Sequence, residues 1–251
     1  MNFSSAKNQK LKSILKIFLL SLFFPLVGFA QDSVHVVPEM PASSGLLHLQ
    51  RTFVFIDITQ NFWLNKPDSV TTKFISGGFN FNFSYEIHLV KNIFSIAPGI
   101  AFSNMTVKNN SMIWYDEMSN NPTAFTHLIP YDPSLIKKSK ISTDYLDIPI
   151  ELRFRINPDE RGKNFWIDPG FRFGFLISDF WKYHFNNGSG GWQKAKVYQT
   201  YNMNDFHYGI SLRTGFYKFG VYAFYSLSDL FEKDKGTTLS PFSIGITLTP
   251  L

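Results

Sequence analysis

The stretch YLDIPIELRFRI, residues 145–156, sorts its side chains into two kinds by strict alternation. Every even position from 146 to 156 is apolar. The odd positions from 147 onward carry a proline and four formal charges: Asp147, Pro149, Glu151, Arg153 and Arg155. A period of two places successive side chains on opposite faces of a β-strand. The segment therefore predicts a strand that lies between an apolar and a charged environment.

The same alternation recurs in eight segments that are separated by turn-rich sequence. They are residues 47–62, 71–87, 93–107, 144–157, 165–178, 205–215, 219–227 and 241–248. In GFNFNFSYE, residues 78–86, four aromatic side chains oppose Asn80, Asn82, Ser84 and Glu86. The chain is therefore expected to be all-β, with one face of each strand apolar and the other small or polar.

The connections between these segments alternate in length. Long connections, residues 63–70, 108–143, 179–204 and 228–240, are separated by short ones, residues 88–92, 158–164 and 217–218. An up-and-down antiparallel barrel of the bacterial outer membrane has this pattern, whereas a β-sandwich gives no such rule. We expect the loops around Trp114 and Trp192 outside the cell and the turns near Asn92, Glu160 and Tyr217 in the periplasm.

A soluble lipocalin-like barrel also alternates, but with its apolar face inside. Here the apolar face is rich in phenylalanine, of which the chain has 28, and the other face is rich in small residues and charges of both signs. This composition favours an eight-stranded antiparallel up-and-down transmembrane β-barrel, because lipid-facing charges cost about 2–4 kcal/mol at the bilayer midplane. Pro149 and Pro169 fall inside strands, where we expect bulges or local distortions.

Seven charges are the candidates for a network inside the barrel: Asp147, Glu151, Arg153, Arg155, Asp168, Arg172 and Arg213. They can form a structural plug of ion pairs, since eight strands leave an interior just wide enough for side chains. Alternatively, Arg172 and Arg213 line an anion path. Four aromatic residues of the long connections, Trp114, Tyr115, Trp192 and Tyr198, are candidates either for recognition of a partner or for the outer aromatic girdle, as are Trp181 and Tyr201.

Residues 1–30 have the pattern of a signal peptide, with four lysines before an apolar run and small residues before Gln31. We expect cleavage after Ala30, a periplasmic lead over residues 31–45, and a barrel domain over residues 46–251. The alternative is a membrane-anchoring helix, but the apolar run is short for a span and contains Pro25. Removing the signal lowers the formal net charge from +5 to +1, which disfavours nucleic-acid binding.

The sequence offers little for catalysis. It has no cysteine, and its six histidines do not form a spacing typical of a metal site. His207 is in phase with Ser211, but four residues on a strand separate them by about 13 Å. No G-x-S-x-G, H-E-x-x-H or phosphate-loop motif is present. We therefore expect no enzymatic activity, no cofactor and no metal.

Four stretches of the chain together resemble the PorT-type outer-membrane β-barrel family. They are the strand YLDIPIELRFRI, the following strand FWIDPGFRFGFLIS, the signal ending FAQDS and the terminal YSLSDLF…SPFSIGITL. The resemblance covers residues 47–251, and its most specific parts are residues 145–149 and 169–170. It implies a small exported barrel of the outer membrane. The member that gives the family its name serves type IX protein secretion and gliding, a role that no motif here marks.

Three functions follow as hypotheses. The first is a non-enzymatic barrel that contacts membrane lipid and other envelope or secretion proteins. The second is a small solute channel, and the third is a lipid-modifying barrel enzyme.

Overall fold

The computed structural model describes residues 51–90, 93–115, 125–156, 164–188 and 190–249. These residues form eleven strands: β1 (Arg51–Leu64), β2 (Gly77–Val90), β3 (Phe94–Asn109), β4 (Ser111–Tyr115), β5 (Thr126–Pro130), β6 (Ile136–Ile156), β7 (Phe165–Asn186), β8 (Trp192–Tyr198), β9 (Phe206–Phe216), β10 (Phe219–Ser226) and β11 (Ser240–Leu248). The predicted signal peptide and lead, and the predicted turns at Asn92 and Glu160, lie outside the described residues.

Eight of these strands pair in a closed ring. The order is β1, β2, β3, β6, β7, β9, β10 and β11, and β11 pairs again with β1. Every neighbouring pair in the ring is antiparallel. The predicted eight-stranded up-and-down barrel is confirmed. In the part of the chain that the structure describes, no helix is long and apolar enough to cross a membrane.

The alternation of side chains follows the two faces of this ring. On β6, Ile148 and Ile150 are 47% and 45% exposed on the outside, whereas Asp147 and Glu151 are fully buried inside. The outer face continues around the barrel with phenylalanines such as Phe83 and Phe171. Because a closed ring pairs its backbone groups without an open edge, its apolar exterior can face hydrocarbon.

The barrel wall extends further at one end than the sequence pattern predicts. β6 begins at Ile136 rather than at residue 144, and β7 continues to Asn186 rather than ending at residue 178. Register shifts between Ile136 and Lys138 and between Asp144 and Tyr145 change which residues face inward. The two-residue alternation is therefore interrupted, and the sequence pattern did not predict these parts of the strands. β8 pairs with this upper part of β7, and the β4–β5 hairpin lies within the long connection from β3 to β6.

Of the bulges or local distortions expected at Pro149 and Pro169, the structure shows no bulge but does show local distortions, as short gaps in the ladders. Pro149 pairs with Arg172 and Pro169 pairs with Leu212, and the register is unchanged on both sides of each proline. On the opposite side of Pro149, the β3–β6 ladder lacks only the pairs between Pro98↔Ile150 and Ala101↔Asp147. A proline without an amide hydrogen is accommodated here by this short gap in the ladder rather than by an extra residue.

Candidate functional site

The interior of the barrel is filled by charged side chains from strands that are far apart in sequence. The seven predicted charges all lie there, and with the additional acids Asp57 and Glu86 they make five carboxylates and four guanidinium groups among the described residues. Every ring strand except β3, β10 and β11 contributes a formal charge. The lumen is therefore a network rather than a set of isolated pairs.

Arg213 occupies the centre of this network. Its Nη2 and Nε donate to the two carboxylate oxygens of Asp57 at 2.7 and 3.2 Å, and its Nη1 donates to Glu151. The guanidinium also lies 4.6 Å from the centre of the Tyr222 ring. Since Arg213, Asp57 and Glu151 are fully buried, this arrangement cross-links β9, β1 and β6 through the lumen.

A second group lies towards the short-turn end. Arg153 Nη2 donates to Glu151 at 3.2 Å and its Nε lies 3.6 Å from Asp168, which also accepts from Arg155 at 2.8 Å. Glu86 is 3.8 Å from both arginines. The Arg155 side chain is 14% exposed, so it forms the solvent-facing rim of the network.

A third group lies towards the long-loop end around Asp147. Arg172 Nη1 donates to Asp147 at 3.2 Å, Ser103 donates to the same oxygen at 2.7 Å, and His207 Nε2 contacts the other oxygen. The His207 ring stacks on Tyr145, with ring centres 3.8 Å apart and planes 4° apart. Packing is so close that a Cβ at position 174 would collide with Asp147 and His207, which explains why a glycine is there.

Above this group the lumen is closed by an apolar cap, which we define as eleven buried residues at the long-loop end. They are Trp63, Val70, Val107, Ile113, Leu128, Ile141, Trp181, Met203, Leu230, Phe231 and Leu239. Each of the four long connections contributes at least one of them.

Asp57, Glu86, His207 and Tyr222 belong to the interior but were not among the predicted network residues. The alternation of side chains along the strands could have predicted that they face the interior. Asp57 is in phase with Thr59 and Asn61, and Glu86 continues the polar face of residues 78–86. What the alternation cannot give is which acid meets which arginine, because several of the pairs join non-adjacent strands such as β1 and β9.

The four aromatic loop candidates occupy different environments. Trp114, Trp192 and Tyr198 are 50%, 43% and 60% exposed. Tyr115 is half-buried against Tyr201, with ring centres 5.3 Å apart, and burial raises the pKa of its hydroxyl. Trp181, which was expected either in the girdle or at a partner surface, is instead buried in the cap and donates to Ser139 at 2.9 Å.

The interior offers little for metal binding or nucleophilic catalysis. No group of three or more metal-ligating side chains is present in the described ranges. Asp147 contacts both Ser103 and His207, so the carboxylate lies between hydroxyl and imidazole. In a Ser-His-Asp triad the imidazole must instead lie between the other two groups. The geometry therefore does not activate Ser103.

No curated protein matches this chain in sequence. Among solved structures, a similar chain is Ail, the attachment invasion locus protein of Yersinia pestis, whose structure is in complex with the heparin analogue sucrose octasulfate. The identity is 15%, the match covers 80% of this chain and 97% of Ail, and the TM-score is 0.31. Because the TM-score is low, we transfer no property of Ail to this chain.

A family model gives the stronger result. The model of the outer membrane protein beta-barrel domain matches residues 41–232, which is most of the chain. The match includes the first seven strands of the ring and all of the charged lumen residues described above. The chain therefore belongs to the family of outer membrane proteins defined by this beta-barrel domain.

Proposed function

We propose that the protein is a non-enzymatic, non-conducting barrel of the outer membrane that serves as an interaction or accessory component of the cell envelope. The observation that carries this proposal is the filled lumen. Its ion pairs lie on strands around the ring, and the apolar cap closes the long-loop end. A barrel of eight strands has little interior beyond the volume of such side chains.

A solute channel is less compatible with this interior. Arg153, Arg172 and Arg213 are each at most 1% exposed, and their guanidinium groups lie 4.6–5.5 Å from the ring centres of Phe55 or Tyr222. An anion that passed the barrel would have to displace carboxylates from these arginines and also cross the cap. Both steps expose buried charge or apolar surface, which is costly.

A lipid-modifying enzyme also receives little support. A hydrolase needs a nucleophile within hydrogen-bond reach of its base and accessible to the substrate. Ser103 and His207 both contact Asp147, and both are buried inside the ring rather than open to lipid. Activity would require the barrel wall to open.

The surface that remains for interaction is the long-loop end. Trp114 on β4 and Trp192 and Tyr198 on β8 present exposed aromatic rings, which are frequent anchors in protein interfaces. The cap beneath them fixes the loops that carry them. The resemblance to PorT-type barrels makes envelope and secretion proteins the first class of partner to test.

Planar-bilayer recording tests the non-conducting part of this proposal. We expect the purified wild-type protein to give no current steps, and we expect the same of Arg172→Ala. A stable wild-type barrel that conducts, with an ion selectivity that changes in Arg172→Ala, would contradict it.

The interaction role is tested by chemical cross-linking in intact cells, followed by purification. A cross-linked protein that is retained by wild type and lost from Trp114→Ala would support it, whereas identical products from both would refute a role for this surface.

A further inference from the structure

Lysines from four neighbouring strands form two rows on the outer face of the barrel extension. In the first row, Lys108 pairs with Lys140, Lys140 with Lys182, and Lys182 with Lys196. In the second row, Lys138 pairs with His184, and His184 pairs with Lys194. The residues on the opposite face, such as Ile141 and Trp181, point into the cap. We call this surface the lysine face.

The lysine face is not neutralised by the protein. Within the described part of the chain, no carboxylate lies within salt-bridge distance of these lysines. Burial, followed by the charges of Lys182, Lys108 and Lys196, lowers the pKa of Lys140. Burial, followed by the charges of Lys194 and Lys138, lowers the pKa of His184. Like charges directly opposite one another destabilise a sheet, so the fold carries a repulsion here that an anion would relieve.

The β1–β2 connection adds an apolar wall beside these charges. Lys73, Phe74 and Ile75 line a groove of about 570 Å³ together with Lys108, Lys140 and Lys182. The Phe74 and Ile75 side chains are 81% and 71% exposed. Both residues lie just before β2, which begins at Gly77. The groove therefore places exposed apolar side chains directly beside the lysine face.

The height of the lysine face on the barrel matches the edge of the lipid. On β7 the outward apolar side chains continue to Phe180, and Lys182 follows two residues later, which is about 7 Å along the strand. Lys140 and Lys196 both contact the ring of Phe180, at 5.3 and 3.8 Å from its centre. Cations directly above an apolar band meet the polar headgroups of the surrounding leaflet.

We propose that the lysine face and its groove bind the phosphate-bearing headgroup of an outer-leaflet glycolipid, with an acyl chain against Phe74 and Ile75. The charge of the lysines selects the phosphates, and the exposed apolar wall selects an amphiphile over a soluble polyanion. This site lies on the outer surface, so it functions whether or not the lumen conducts.

Native mass spectrometry of the detergent-solubilised protein tests the site with bisphosphorylated lipid A as the probe. We expect the Lys140→Gln/Lys182→Gln variant to bind at least about tenfold more weakly than wild type, because each lysine near an anionic headgroup contributes to binding. The matched control is Lys233→Gln/Lys235→Gln, which removes the same charge from an exposed loop. It is expected to bind like wild type. Equal binding by all three proteins, or equal weakening in both variants, would overturn the proposal.

Three further probes distinguish the sources of the anion. Lipid A without phosphates should bind wild type as weakly as the double lysine variant binds the intact lipid. Phe74→Ser should weaken binding of lipid A while leaving binding of inorganic pyrophosphate unchanged. If soluble dextran sulfate binds wild type and Phe74→Ser equally and displaces lipid A from wild type, the face is a site for soluble polyanions and the lipid assignment is wrong. Heat-modifiable gel migration verifies that each variant is folded.

Discussion

Removal of Arg213 is the most direct test of the lumen network. Arg213 bridges Asp57 and Glu151, and all three residues are fully buried. Arg213→Met keeps a long side chain but removes the charge and its donors. The two carboxylates then lose a common partner in a place that water does not reach.

The remaining contacts decide how large the loss should be. Glu151 keeps Arg153 at 3.2 Å and an amide hydrogen bond from Asn82 at 3.3 Å. Asp57 keeps only neutral donors, Asn80 at 3.2 Å and Thr247. One carboxylate is therefore left without a hydrogen-bonded cation, and breaking a buried pair in this way costs about 3–5 kcal/mol. Adding Asp57→Asn removes the uncompensated charge and should recover part of the loss.

Urea unfolding in lipid vesicles, followed by heat-modifiable gel migration, measures these differences. Arg155→Met is the matched control, because Arg155 lies at the rim with its side chain 14% exposed and should cost less. The reasoning is refuted if Arg213→Met is no more destabilising than Arg155→Met. It is also refuted if the added Asp57→Asn makes the Arg213 variant still less stable.

Three other outcomes follow from the same structure. Ile150→Arg places a charge in lipid and should lower the stability of the barrel by about 2–4 kcal/mol. Glu151→Gln should lower the stability less, because Arg213 keeps its bond to Asp57. If gels show equal losses of folded barrel, the assignment of these side chains to the outer and inner faces is wrong. In this cysteine-free chain, a membrane-impermeant maleimide should label Gln193→Cys on intact cells and should not label Lys218→Cys. Labelling of Lys218→Cys would mean that the barrel has the opposite orientation in the membrane. Trp181→Ala should lower the free energy of unfolding by about 3–5 kcal/mol in urea titrations, because its indole fills the apolar cap, and an unchanged midpoint would contradict that packing.

The sequence predicted the ring well because the two faces of each strand obey different physical constraints. Hydrocarbon outside and a narrow interior inside leave a clear alternation, as in residues 145–156, and all seven predicted charges lie in the interior.

The alternation did not predict the upper halves of β6 and β7. There the register shifts, and the inward face turns apolar while the outward face turns basic. The cap was also missed, since Leu230, Met203 and Ile113 meet only through the closed topology.

The cap has a consequence for how the exposed surface can change over evolutionary time. Because all four long connections contribute to one buried cluster, they are not independent decorations of the barrel. On β4, Ile113 lies in the cap while the adjacent Trp114 is half exposed. A loop can thus accept substitutions at its outward positions, while its inward residues must remain matched to the other three loops. Insertions that shift this alternation by one residue would disturb the whole exterior surface at once.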